Sequence, residues 1–190
     1  MPEEIEIDTD KLREDTHEPP TGALLRNIAL TTALLAALGA IAALRAGATV
    51  NEALVLKTEA ARLQGEASDQ WAYYQAKGIK AEVDETSRQT WLSAGKTPPP
   101  ELEKTIARYG AEQKEIERNA HEKEGERDEK SKTADALMEH HHRLANSVAL
   151  IQVAIALGAV AALTRNGLVW SGSVGLGLIG AGVFLFSFLS

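Results

Sequence analysis

Three runs of residues without a single Asp, Glu, Lys, Arg or His constrain this chain more than any other feature. The first extends from Asn27 to Leu44 between Arg26 and Arg45, the second from Leu144 to Thr164 between Arg143 and Arg165, and the third from Asn166 to Ser190. A helix needs roughly 17–25 apolar residues to cross the hydrocarbon core of a bilayer. Inside lipid the backbone has only itself to hydrogen-bond, so such runs cross as helices. The expected fold is all-α: three transmembrane helices, with a long extramembrane antiparallel helical hairpin, coiled-coil-like, between the first and second.

The mean hydropathy of −0.18 conceals this because it averages two unlike populations. Charge is just as unevenly spread. The segment before Gly22 holds eight acidic residues against Lys11 and Arg13, a net of −6. Residues 46–143 hold 15 Lys and Arg against 19 Asp and Glu, a net of only −4. A nucleic-acid binder needs a basic face that displaces counterions, and none is present. The chain has no cysteine, which excludes disulfides, thiolate nucleophiles and thiolate-held metals. Ala46-Gly47-Ala48 imitates a signal-peptide cleavage site. The preceding apolar run is too long for a signal core, its leader is long and acidic, and Arg45 interrupts the approach, so a retained anchor is expected.

The organisation follows. Residues 1–21 read as an acidic, disordered tail containing Pro19-Pro20, and 22–46 as the first transmembrane helix with Thr21 as its cap. Small residues recur every fourth position in that helix, as Ala29, Ala33, Ala37 and as Thr32, Ala36, Ala40, a spacing that lets backbones approach in lipid. Residues 47–143 read as the charged hairpin. Leu56, Ala60, Leu63, Ala67, Trp71, Tyr74, Gly78 and Ala81 step by threes and fours, the rhythm of a packed seam. The prolines at 98–100 place a turn near 96–100, because they remove donors and hold the residues before them out of the helix. A second helix begins at Pro100-Glu101, where acidic residues suit the positive end of the helix dipole. Its seam is Leu102, Ile106, Tyr109, Gln113, Ile116 and Ala120. From Glu122 to Lys132 nearly every residue is charged and the apolar seam lapses, to resume at Ala134, Leu137, Met138, His141 and Leu144. At 1.5 Å per residue such a hairpin would reach about 60–65 Å.

The second span covers 144–164, and 165–190 hold a short turn and the third span, with Asn166-Gly167 as the breaker. Ala154, Gly158 and Ala162 in the second span, and Ser173, Gly177 and Ala181 in the third, form small-residue stripes expected to pack against one another. Trp170 suits a headgroup region. Phe184, Phe186 and Phe188 read as lipid-facing or packing residues.

Chemistry is sparse. Glu139-His140-His141-His142 is the one metal-like cluster, but consecutive residues splay around a helix, whereas ligands need three- or four-residue spacing. It reads as a polar collar, with His141 on the seam. No metal, cofactor or catalytic residue is expected. The spans lack the ionisable groups that transporters and proton relays use, whereas a passive pore needs none.

The stretch Asn51-Glu52-Ala53-Leu54, followed by Ala67-Ser68-Asp69-Gln70-Trp71-Ala72-Tyr73-Tyr74-Gln75-Ala76-Lys77, resembles the signature of a bacterial membrane family catalogued as domain of unknown function 4337. The resemblance covers most of the chain, including the order of one span, a long helical region and two C-terminal spans. It implies that Asp69, Gln70, Trp71, Tyr73, Tyr74 and Lys77 form a contact surface, and it supplies no activity. The expected function is that of a non-enzymatic, homo-oligomeric integral membrane protein of the bacterial inner membrane, a structural or interaction scaffold working through its helical stalk. Membrane lipid, further copies of the chain and an unidentified protein are the expected partners. The alternative is an oligomeric channel or pore.

Overall fold

The computed structural model describes residues 20–187. The acidic tail lies outside the described residues except for its last two positions, which already belong to the first helix, and Phe188 also lies outside. Among the described residues there are three helices and no strand: α1 (Pro20–Ser93), α2 (Pro100–Thr164) and α3 (Gly167–Phe186). All three are long and apolar enough to cross a membrane. Pro20 opens α1, so Thr21 stands inside the first turn rather than at the cap; proline suits that place because its missing N–H would have no helical partner there.

The breaks between helices are built differently from one another. At the end of α1 the amide of Gly95 donates to Leu92 O at 2.9 Å and that of Lys96 to Trp91 O at 3.0 Å. Gly95 has φ +68°. This double bond with a left-handed glycine ends a helix by satisfying carbonyls that have lost their own partners. The prolines then serve the next helix: Leu102 N donates to Pro99 O and Pro100 takes the first helical position. At the α2–α3 break the left-handed residue is Arg165, at φ 51°, and not the glycine of the Asn-Gly pair. Asn166 caps α3, its side chain accepting from Leu168 N at 2.9 Å and Val169 N at 3.4 Å, so Gly167 is already helical.

The described chain divides into two compact units, residues 20–49 with 139–187 and residues Val50–Met138. In the first, large apolar side chains stand outside: Leu34, Leu44, Leu163, Leu168 and Leu178 are all more than 60% exposed. Ala42, Ala46, Leu144 and Phe184 form a buried cluster, and Ser147, Ala154, Ala161, Ser173 and Gly180 are buried as well. The row Ala29, Ala33, Ala37 faces outward.

In the second unit α1 and α2 pair in opposite directions. Lys57 contacts Asp135 (2.7 Å), Trp71 contacts Glu124 (2.9 Å), Lys77 contacts Glu112 (2.6 Å) and Arg88 contacts Glu103 (2.9 Å). One number rises as the other falls, and that is antiparallel register. Ala53, Ala60, Leu63 and Ala67 from α1, with Ile116, Ala120 and Ala134 from α2, are buried between them.

Candidate functional site: the Trp71 cluster and the small-residue contacts

Residues 69–77 cover two turns of α1 in the second unit, so the helical period divides them between two faces. Trp71, Tyr74, Lys77 and Gly78 fall on the side toward α2 and are half-buried; Asp69, Ala72 and Tyr73 are exposed. Trp71 meets the charged stretch of α2 directly. Its Nε1–H donates to Glu124 Oε1 at 2.9 Å, and the other carboxylate oxygen accepts from His121 Nδ1 at 2.9 Å. The indole stands edge-on to His121 (5.1 Å between centroids) and to Tyr74 (5.6 Å). Indole carries a large apolar body and one donor, so a carboxylate that has a second donor of its own is a partner it can take from a charged helix. The Trp71 N–H, and then His121, hold the Glu124 carboxyl below its ordinary range. The apolar seam lapses in sequence after Ala120, yet the helices stay joined there by polar contacts: Arg127 to Gln64, and Lys57 to Ser131 at 3.1 Å.

One turn further, Lys77 forms the second node. Its ammonium lies 2.6 Å from Glu112 Oε2 and over the rings of Tyr73 (5.1 Å) and Tyr109 (5.3 Å). Glu112 first, and the Tyr73 hydroxyl second, hold Lys77 above its ordinary range; Lys77 in turn holds the Glu112 carboxyl low. Beside it, a Cβ on Gly78 would lie 2.8 Å from the Gln113 amide nitrogen, which donates to Tyr74 O at 3.4 Å. Asp69 and Gln70 line a shallow polar groove of about 330 Å³ with Glu66, Asn119, Glu122 and Lys123. Of the six residues in this stretch, the structure therefore engages Trp71, Tyr74 and Lys77 within the chain, and leaves Asp69 and most of Tyr73 to the outside.

The small-residue positions of the first unit also divide. Ala154 and Ser173 meet across α2 and α3, the Ser173 hydroxyl donating to Ala154 O at 2.6 Å. Gly158 meets both neighbours: a Cβ there would stand 2.6 Å from Thr32 Oγ1 of α1 and 3.4 Å from Ser173 Oγ. Gly177 faces α1 instead, with Leu35 Cδ2 2.7 Å from where its Cβ would be. Ala181 lines an apolar groove with Leu35 and Leu38, and Ala162 one with Ile28 and Thr32. A close α2–α3 approach lies at Gly180, absent from the sequence stripes. A Cβ there would come within 3.2 Å of Ile151 N, and Gly180 O accepts from the buried Ser147 hydroxyl at 2.8 Å. The sequence signal was present as serine and glycine in apolar runs; only the register pairs them. Trp170 Nε1 donates to Thr31 Oγ1 at 3.1 Å.

The histidines do not converge. His140 Nε2 lies 3.0 Å from Ser187 O and His141 Nδ1 lies 2.9 Å from Ala46 O, each donating to a carbonyl, while His142 is exposed. Among the described residues no three His, Cys, Asp or Glu gather as a metal set.

A family model described as "Domain of unknown function (DUF4337)" matches residues 24–190. The chain belongs to that family. No curated protein and no solved structure matches it.

Proposed function

We propose that this member of the DUF4337 family is a non-enzymatic integral membrane scaffold, held in a bacterial inner membrane by three spans and working through its helical hairpin as a homo-oligomer. The observation that carries the membrane part is the apolar exterior of the first unit. Leu34, Leu44 and Leu178 are more than 60% exposed, and the helices meet through alanine, glycine and serine as well as through Ile28, Leu144, Ile151 and Phe184. Water would drive those leucines inward at about 25 cal/mol per Å² of apolar surface. Lipid exerts no such force, and helices within it meet through small residues and hydroxyl hydrogen bonds. Bilayer lipid is therefore the first partner.

The hairpin supports the scaffold part. Its seam is closed by aromatic, cationic and carboxylate contacts between α1 and α2, which makes a stiff pair of helices rather than a cavity for a small substrate. Single-cysteine variants test the membrane reading without background, because the chain has no cysteine of its own. In membranes, Leu163→Cys and Leu178→Cys should refuse a water-soluble maleimide that labels Ala111→Cys and Ala136→Cys. Equal labelling at all four positions contradicts the reading.

One observation supports a channel as second reading. Ala29, Ala33 and Ala37 present a small, outward face on α1, which neighbouring copies could turn toward a shared axis. Conductance across planar bilayers tests it, and a correctly assembled protein that carries no current excludes it.

A further inference from the structure

The outward faces of the two paired helices in the second unit are opposite in character. On α2, a row at three- and four-residue steps runs from Lys104 and Arg108 through Arg118 and Glu122 to Glu129 and Lys132; seven of its ten positions up to Ala136 are charged. On α1, the row behind the buried seam runs from Leu54 through Ala61, Ala72, Ile79 and Val83 to Thr90. It has eleven positions, every one exposed and none charged. Charged residues occupy 11 of the 37 positions from Leu54 to Thr90, and all of them fall on other faces. A solvated helix face in so charged a segment has no reason to exclude charge over ten turns.

We propose that this face of α1 is the self-association surface, covered by the same face of a second copy standing parallel to it. The proposal deepens the membrane reading and rests on it, because copies anchored in one bilayer by the same spans share an orientation. The absence of charge points to a second copy rather than to an unrelated protein. A parallel two-fold contact sets each residue against itself, so any charge on the row would face its own like. A different partner could answer a charge with its opposite and would impose no such exclusion. The flanks agree. In parallel coiled coils the flanking residues five apart meet across the seam, which sets Gln64 against Asp69, Gln75 against Lys80 and Glu82 against Ser87 of the second copy. The one like pair, Lys57 with Arg62, is already answered within each chain by Asp135 and Glu59.

Size agrees too. The row spans about 55 Å at 1.5 Å per residue, and a helix-wide strip of about 10 Å gives roughly 550 Å² per copy. That comes close to the about 1,200 Å² total at which stable interfaces begin. Tyr73, 51% exposed beside the row, and Leu92, 46% exposed at its end, add to it. The contact surface anticipated from residues 69–77 thus shifts around the helix, from Trp71 and Tyr74 to Ala72 and Ala76.

The test uses the full chain in membranes and in nanodiscs, with single cysteines at Ala61, Ala72, Ala76 and Val83 on the α1 row and at Ala111 and Ala136 on the α2 row. Mild oxidation should give covalent dimer at the four α1 positions and only monomer at the two on α2, since disulfides need Cα atoms within about 7 Å. Ala72→Glu should lower the native mass to one chain, and Ala136→Glu should leave it unchanged. An oligomeric mass with crosslinks on α2, or with none on the α1 row, overturns this proposal and leaves the membrane scaffold standing. A single-chain mass without crosslinks overturns the proposal together with the homo-oligomer. A crosslinked product of any mass other than the dimer assigns the face to another protein and also overturns it.

Discussion

Close helix approaches at buried glycines concentrate in the first unit and are scarce in the second. In the first, Gly158, Gly177 and Gly180 are buried where a Cβ would come within 2.9 Å of a neighbouring helix's side chain. In the second, Gly65, Gly110 and Gly125 have nothing within 4 Å of that position, and Gly78 meets only the flexible end of Gln113. The interiors differ too: the first unit buries Ser147 and Ser173 beside Ile28, Leu144, Ile151 and Phe184 while Leu34, Leu44 and Leu178 stand outside, and the second buries Leu63 and Ile116. Water sorts side chains by polarity, so the paired helices bury what is apolar. On the proposed membrane reading, lipid leaves large apolar side chains of the first unit outside and lets small residues bring its helices together.

Substitutions can break that contrast, and the largest effect is expected at Gly180. Gly180→Leu should cost about 1–3 kcal/mol or more through overpacking against Ile151. Gly182→Leu, on the same helix with open space around it, should cost almost nothing. Thermal unfolding in detergent distinguishes the two, and equal losses would mean that α3 does not pack in this register. Next comes Trp71. Trp71→Ala should lower the melting temperature of the paired helices by removing about 2–3 kcal/mol, toward the low end for aromatic truncation because the ring is half-buried. Trp71→Phe keeps most of the ring contact and loses the bond to Glu124, so it should lower the melting temperature less than Trp71→Ala does.

Acidity sharpens the comparison, because among the described residues the clearly shifted groups belong to the second unit. Glu112 and Glu124 lie below the ordinary carboxyl value of 4.5 when folded. Their contribution is complete above pH 4.5 and is lost as pH falls through the lower folded values. Lys77 lies above its ordinary 10.5, so its contribution is complete below that pH and is lost as pH rises through the folded value. Melting followed by circular dichroism should therefore weaken as pH falls below 4.5 and again as it rises above 10.5, with a plateau between. A Lys77→Met, Glu112→Leu double variant should weaken the alkaline arm, leaving the part that Lys123 carries. The smallest effect is a gain: Gly125→Ala should stabilise by about 0.5–1 kcal/mol from helix propensity alone. Gly158→Ala, despite the same propensity, should destabilise through its contact with Thr32.

Much of this was legible in the sequence. Hydrophobic runs and three–four rhythms gave the helices, and the seam positions from Ala60 to Ala67 and at Ile116 and Ala120 are buried as their spacing requires. What escaped depends on register. Trp71 and Glu124 lie 53 residues apart, and only the turn at 94–99 decides that they meet. That turn was credited to the prolines, whereas Gly95 supplies the left-handed residue; a glycine two residues past the helix end was the available signal. Arg165 could not have been singled out, because its left-handed backbone breaks the usual preference for glycine or asparagine. The small-residue stripes identified close-packing residue types but not neighbours, so Gly177 was paired with α2 although it meets Leu35 of α1.

The measurement that bears most directly on the account is the native mass of the full chain in lipid nanodiscs. A membrane scaffold that joins its own copies through α1 predicts a discrete multiple of 20.4 kDa that survives dilution. A single-chain mass across the same concentrations would contradict it.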